Sequence, residues 1–260
     1  MPEVFHTRIS AVIITFNEER NIGRCLQSLL KVADEIVVVD SFSSDQTEKI
    51  AKSFPGVAFY SAKWQGYSRS KNYANSLAVN DWVLSLDADE ELSETLINSL
   101  LQWKKMESPF SAGFNRLTNY CGQWINHCGW YPDFKFRLFN RKVFLWEGEI
   151  HEKLMASAEN QIAPLRLEGN CLHYSYYSEE EHWNQTLKFS RLWAEQAFQQ
   201  QKKYSALKRY FGPILRFCRD YFIKLGVLDG RAGFKICRVS AAGIALRQKF
   251  LLEKIQSQKS

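Results

Sequence analysis

The sequence predicts an α/β protein, a mainly parallel sheet with helices on both faces, followed by a helical C-terminal extension. Three observations predict it. Short β-branched runs alternate with stretches of helical periodicity through the first ~90 residues, the pattern of strands joined by crossover helices. Three of those runs end in polar clusters, at Thr15–Glu18, Asp40–Asp45 and Asp87–Asp89, and ligands collect beyond the carboxyl ends of strands in such sheets. Past residue 200, Lys and Arg recur regularly among aromatic and aliphatic residues, as on helices with one basic face.

The elements follow in order. Ser10–Phe16 (SAVIITF) is a buried strand that stops at Asn17 and Glu18. Asn21–Lys31 sets Ile22, Cys25, Leu26, Leu29 and Leu30 on one helical face. Glu35–Asp40 (EIVVVD) is a second strand, ending on a carboxylate. Asp45, with Glu48 three residues on, reads as a capping box for a helix over Thr47–Phe54. Val57–Tyr60 is a weaker strand, Ser68–Val79 a helix, and Trp82–Leu86 a strand running into Asp87. A helix over Ser93–Lys105 follows, and from there to Trp146 the pattern is aromatic and irregular, predicting loops and short strands that shape a pocket. Glu179–Tyr204 returns to helical character, and Tyr204–Gln256 is helical with a break at Gly226–Gly230. The expected division is an α/β domain over 1–200, its halves 1–105 and 106–200, with a basic amphipathic tail over 201–260.

Composition narrows the functions. With 260 residues, 45% of them hydrophobic, the chain can bury a full core. No stretch approaches the roughly 18 consecutive apolar residues of a membrane span. The start, MPEVFHTRIS, has no basic region followed by an apolar run, so the expectation is a cytoplasmic protein with no secretory signal. Six scattered cysteines then read as free, mostly buried thiols. The net charge of +6 conceals an asymmetry: 14 Lys/Arg against 3 Asp/Glu from Lys202 onward, 20 against 25 before it. The basic, aromatic tail predicts an anionic partner. Neither G-x-G-x-x-G after the first strand nor G-x-x-x-x-G-K-[ST] occurs, which disfavours ordinary dinucleotide binding and P-loop chemistry.

Asp87-Ala88-Asp89 leaves two carboxylates at the end of a hydrophobic strand. Uncompensated burial would be costly, so a cation is their natural partner, and oxygen ligands suit Mg²⁺ or Mn²⁺. Such a metal would neutralise charge building on a leaving diphosphate. Alone the triplet is a weak signal; its company at successive strand ends strengthens it.

The combination Thr15-Phe16-Asn17-Glu18, Val39-Asp40-Ser41-Phe42-Ser43-Ser44-Asp45-Gln46-Thr47 and Asp87-Ala88-Asp89-Glu90 resembles the family 2 glycosyltransferases of GT-A fold, over about the first third of the chain. The resemblance implies a Rossmann-like GT-A catalytic domain over 1–200, with a nucleotide-sugar-binding half (1–105) and an acceptor-side half (106–200), a nucleotide-diphosphate-sugar donor and inversion at the anomeric carbon. It implies that Thr15, Asn17, Glu18 and Asp40 line the nucleoside pocket, with Ser43 and Asp45 supporting its loop. Asp89 would be the main metal ligand, and Asp87 would contact the donor's ribose or sugar. Arg69 stands where related enzymes have a basic helix start facing the donor, and a helix N-terminus favours anions. Lys71 reads equally well as part of a solvated helix face.

An inverting transfer needs a base for the acceptor hydroxyl. Glu152, Glu149 and Asp133 are the candidates, with Glu152 preferred because His151 beside it can engage the metal or diphosphate. Neighbours in a strand face opposite ways, so both roles require a bend; without one, Glu149 shares a face with His151 and becomes the better base. His173 reads as structural or supporting. Trp124, Trp130 and Trp146 are candidates for stacking on sugars, although core packing is the commoner fate of tryptophan.

The tail, with Asp229-Gly230 before Ala232-Gly233-Phe234, and the Gly148–Glu152 segment make the whole chain similar to the WaaE/KdtX-type lipopolysaccharide core glucosyltransferases. That resemblance implies transfer of glucose from UDP-glucose to a heptose of the lipid A–core. The enzyme would sit peripherally on the cytoplasmic face of the inner membrane, its tail on the anionic surface. Other glycan or lipid-linked acceptors are the nearest alternative. A sugar-1-phosphate nucleotidyltransferase would need a glycine- and arginine-rich loop where Asn17-Glu18-Glu19-Arg20 stands. A nucleic-acid-binding protein would leave the acidic strand ends unexplained, so no nucleic-acid partner is expected. Intact Asp87, Asp89 and Glu149–Glu152 argue against an inactive scaffold.

Overall fold

The computed structural model describes residues 6–107, 109–148, 152–156 and 163–258. Two of the residues named above, Glu149 and His151, lie outside them. The first three strands are β1 (Ile9–Thr15), β2 (Glu35–Asp40) and β3 (Val57–Ser61), and β4 (Trp82–Asp87) completes the parallel set. Helices α1 (Ile22–Leu29), α2 (Thr47–Lys52) and α3 (Tyr67–Leu77) connect them. The period-2 alternation of β-branched residues supplies both faces. Ile9, Ala11 and Ile13 of β1 pack in one core with Leu26 and Leu29 of α1 and with α4 (Glu94–Trp103), while Val12 joins Val37, Val39, Val83 and Ala74 of α3 in another. The α/β expectation with helices on both faces stands.

Register aligns the strand ends. Thr15 lies opposite Asp40, Ile14 opposite Asp87, and Asp40 opposite Ser61. The convergence of polar clusters on one edge therefore follows from pairing rather than from sequence order alone.

Beyond residue 105 the structure corrects the sequence. In place of loops and short strands around a pocket, β6 (Ala112–Tyr120) and β8 (Asp133–Asn140) are full strands of the same sheet, with β8 antiparallel to both β4 and β6. The strand order is β3-β2-β1-β4-β8-β6-β11-β5, with β5 (Glu90–Leu92) antiparallel to β11 (Leu165–Tyr176) and β7 (Gln123–Ile125) pairing β6. Arg116 and Arg137 disguise β6 and β8 because charged residues in a strand ordinarily signal a solvated face; here Arg137 is buried. Strands β9 (Phe144–Glu147) and β10 (Lys153–Ala156) form a separate antiparallel pair with Trp146 opposite Leu154.

Two compact units divide the chain, residues 1–116 with 133–173, and 117–132 with 174–260. The second contains α5 (Glu179–Gln199), which opens on a capping box between Ser178 and Glu181. It also contains α6 (Ala206–Cys218) and the 28-residue α7 (Gly230–Ser257), which packs on α5 and α6. The predicted break falls between α6 and α7, as a wide turn at Arg219–Ile223 and a tight one at Gly226–Asp229. Gly233 is required there: a Cβ on it would lie 1.9 Å from the Gly226 carbonyl oxygen. All six cysteines are free, four of them buried. Among the described residues no helix is long and apolar enough to cross a membrane.

Candidate active site

The loops after β1 and β2 are laced together. Asn17 adopts φ +54°, a left-handed conformation that asparagine tolerates, and this turns its side chain toward the second loop. Its N–H donates to Ser43 Oγ at 2.7 Å, and its Oδ1 accepts from the Ser44 N–H at 2.8 Å. The Glu18 N–H donates to Thr47 Oγ1 at 2.8 Å and that of Glu19 to Asp45 Oδ2 at 3.1 Å. Asp40 is buried and accepts from the Ser43 N–H at 2.8 Å. The expected Asp45 capping box does not form. Gln46 occupies the cap position, while Asp45 accepts from the Thr47 N–H at 3.0 Å and serves the loop junction. Thr15 Oγ1 is buried with no hydrogen-bond partner among the described residues.

A chain of alternating charges starts at the end of β4. Asp87 Oδ2 accepts from Arg137 Nη2 at 2.7 Å, and its Oδ1 lies 3.1 Å from Lys71 Nζ. Arg137 Nη2 also donates to Glu90 Oε1 at 2.9 Å, while Glu90 Oε2 accepts the Asp87 N–H at 3.0 Å. Arg116 extends the chain, reaching Glu90 at 3.4 Å and Asp133 Oδ2 at 2.9 Å, and Lys135 Nζ holds Asp133 Oδ1 at 3.0 Å. At the other end Lys71 Nζ reaches Glu152 Oε1 at 3.1 Å and lies 4.8 Å over the Trp146 ring. Each buried charge thus has an opposite neighbour, which offsets its desolvation. Burial pushes the Asp87 carboxyl up, but Arg137 and Lys71 outweigh it and hold the group well below the ordinary carboxylate range.

Asp89 stands apart from this chain. It has no Lys or Arg at ion-pair distance among the described residues; its Oδ2 lies 3.1 Å from His173 Nε2. Strand pairing explains the contact, since His173 of β11 sits opposite Glu90 of β5, the residue after Asp89. The bare triplet reads as two carboxylates in need of one cation, and the family resemblance separates them, with Asp89 on the metal and Asp87 on the donor; the fold neutralises Asp87 from within. Among the described residues no group of three or more His, Cys, Asp or Glu side chains could hold a metal by itself. The fit is therefore a partial one: Asp89 and His173 offer an oxygen and a nitrogen, and any further ligands would have to come from elsewhere.

Several residues differ from the sequence reading. Lys71, read as equally well solvated, is 3% exposed and central to the network, while Arg69 on the same helix is exposed. Glu90, Arg116 and Arg137 were given no role by the sequence, and His173, read as structural or supporting, stands beside Asp89. The contacts Arg116–Glu90, Arg137–Glu90, Arg137–Asp87 and His173–Asp89 span 26 to 84 residues of sequence, and the pairing of β6, β8 and β11 within the sheet brings them together. Trp146 lies in the core behind Lys71, and Trp130 packs with Tyr120, Tyr176 and His182.

Burial raises the Glu18 carboxyl to about 7, with Asp89 and Asp45 adding to the shift and the Asn21 hydrogen bond opposing it. Because the folded value exceeds the unfolded one, this group costs nothing below about pH 4.3, and its cost grows as pH rises to about 7. Glu18→Gln is therefore expected to stabilise the metal-free protein by about 1–2 kcal/mol at pH 8, after allowance for solvent screening, and by less at pH 5. Urea midpoints in chelator at the two pH values check this; an equal difference at both would contradict it.

The model of the family described as Glycosyl transferase family 2 matches residues 10–153. An uncharacterized glycosyltransferase of Rickettsia typhi is 31% identical over 243 residues, covering 87% of this chain and 80% of that protein. A lipopolysaccharide core biosynthesis glycosyltransferase, LpsC, of Rhizobium meliloti is 27% identical over 230 residues, covering 82% and 80%. The crystal structure of S. aureus TarS 1-349 in complex with UDP is 17% identical, covering 97% of this chain and 92% of that one, with a TM-score of 0.39.

Proposed function

The chain belongs to glycosyl transferase family 2 and is a glycosyltransferase; from that premise we propose that it is an inverting, metal-dependent hexosyltransferase. In this reading it takes glucose from UDP-glucose and adds it to a heptose of the lipopolysaccharide inner core, at the cytoplasmic face of the inner membrane. The observation that carries the donor part is the separation of Asp87 from Asp89. Two protein cations occupy Asp87, which leaves Asp89, beside His173, as the ligand for Mg²⁺ or Mn²⁺. That ion, when bound with the donor, would stabilise charge on the departing diphosphate. Thr15, Asn17, Glu18, Asp40 and Ser43 would line the nucleoside pocket, where the unpartnered Thr15 hydroxyl offers the donor a hydrogen bond. Arg69 would meet the diphosphate. The similarity to LpsC supports the lipopolysaccharide core as acceptor, and the basic tail supports attachment to an anionic membrane.

For the base the geometry favours Glu152 over Asp133. Arg116 and Lys135 engage both oxygens of Asp133, so a proton would have to displace a cation. In Glu152 only Oε1 faces Lys71, and Oε2 can take the acceptor's proton. Lys71 would position Glu152 against the donor-side carboxylate Asp87. Glu149 remains the alternative base and His151 a further ligand for the metal or diphosphate.

The test incubates purified protein with lipid A–core acceptor and a panel of nucleotide sugars, with Mg²⁺, Mn²⁺ or chelator, and weighs the products. UDP-glucose is expected to give a single hexose addition; product from another donor only would overturn the assignment of glucose. Glu152→Gln is expected to lower kcat by about 10²–10⁴ with donor affinity nearly unchanged. If Glu149→Gln shows that loss instead, the base is Glu149.

A further inference from the structure

The second unit carries a groove of ≈ 390 Å³ that the donor chemistry does not use, lined by Asn126, His127, Tyr131, Ile223, Lys224 and Leu225 among others. It is a built feature. The Cys128 N–H donates to the Lys224 carbonyl at 3.1 Å, tying its two walls together. Buried Asp229 accepts from the His127 N–H and from its ring Nδ1, both at 2.9 Å, which fixes the imidazole. Gly129 holds φ +73°, a conformation that favours glycine, and the end of the Lys224 side chain lies across it, 2.5 Å from where a Cβ would stand. Lys224 makes no ion pair with a carboxylate among the described residues.

The rim is apolar and uncovered. Ile223 is 77% exposed, Leu228 64%, and Phe222 and Leu225 are also exposed. Helix α6 has no buried residue, and its exposed Leu207, Phe211 and Leu215 recur at i, i+4 and i+8 along one stripe. Arg216 and Arg219 are matched by Asp220, whereas Lys208, Arg209 and Lys224 have no such partner among the described residues. Aliphatic tips interleaved with unmatched cations fit the boundary between anionic headgroups and acyl chains. A phosphate backbone would leave the aliphatic tips in water.

We propose that this groove seats the phosphate of an anionic phospholipid headgroup on Lys224 and His127, while Phe222, Ile223 and Leu228 enter the same leaflet. This deepens the membrane part of the reading above and is separate from its donor chemistry. The test is flotation of the full chain with phosphatidylcholine vesicles, with and without 30 mol% phosphatidylglycerol, comparing wild type, Lys224→Glu, Lys224→Arg and Ile223→Asp. Wild type is expected on the anionic vesicles only. Each unit of charge near the surface is worth roughly fivefold, so Lys224→Glu should weaken partitioning about thirtyfold, with Lys224→Arg near wild type. Ile223→Asp should also release the protein, and thermal melts of each variant confirm that it is folded. Wild-type binding with both folded variants unchanged overturns the groove but leaves membrane attachment standing. Equal binding to neutral vesicles overturns the headgroup role. No flotation at all, or preference for an oligonucleotide at the same salt, overturns both, and neither outcome touches the donor reading.

Discussion

Asp89→Ala is expected to lower hexose transfer by at least about a thousandfold, the several kcal/mol that a cation contributes to a departing diphosphate. The variant is informative because little else depends on Asp89. Its one ion-pair neighbour among the described residues is His173, which is partly exposed. Asp87→Ala is a poorer test of the same idea, since it strips a partner from Arg137 and Lys71 together. Activity alone cannot separate a lost ligand from a disturbed site, so UDP binding by calorimetry is the second readout. Wild type is expected to bind UDP more tightly with Mn²⁺ than in chelator, and Asp89→Ala to bind equally in both. A variant that keeps the metal-dependent gain would remove Asp89 from the metal. Full transfer by wild type in excess chelator would remove the metal from the reaction.

What could be read from the sequence follows from which signals are local. Strands β1 and β2 announce themselves by β-branched runs and β4 by the apolar run WVLSL, and each stops where a polar cluster begins, so Thr15, Asp40 and Asp87 could be placed on one edge. Pairing then set Thr15 against Asp40. Lys71 could not be read, because a lysine in the first turns of a polar helix looks solvated; the burial comes from Asp87, Glu152 and the Trp146 face. Arg137 hid β8 for a related reason. In Asp133–Asn140 the residues Phe134, Phe136 and Leu138 alternate with Lys135, Arg137 and Phe139, a legible period of two, although an arginine inside a strand ordinarily marks a solvated face. His173 was legible only once its strand was known to face Glu90. At Asp45 a local signal misled: the spacing to Glu48 suits a capping box, but Glu19 and Thr47 take the carboxylate for the loop junction.

Arg137→Ala is expected to destabilise the protein by about 3–5 kcal/mol, because it leaves carboxylates in place with their principal cation gone. Glu90 is the more exposed to this loss of compensation, being buried and served otherwise by the Asp87 N–H at 3.0 Å and by Arg116 at 3.4 Å. Asp87 keeps Lys71, so its share of the loss is smaller. In wild type the Asp87 carboxyl sits well below its ordinary value, so its stabilising contribution is complete above about pH 4 and is lost as pH falls further. Without Arg137 the dependence reverses. Protonation relieves the stranded carboxylates, and the deficit of the variant should shrink as pH drops from 7 toward 5. Urea midpoints across that range measure it. Pairing Arg137→Met with Glu90→Gln should recover much of the loss, since a neutral amide and a thioether need no counter-charge. If the deficit is the same at every pH and the double variant recovers nothing, the cost of losing Arg137 lies in packing, and the alternating chain from Asp133 to Glu152 does not hold the site together by charge.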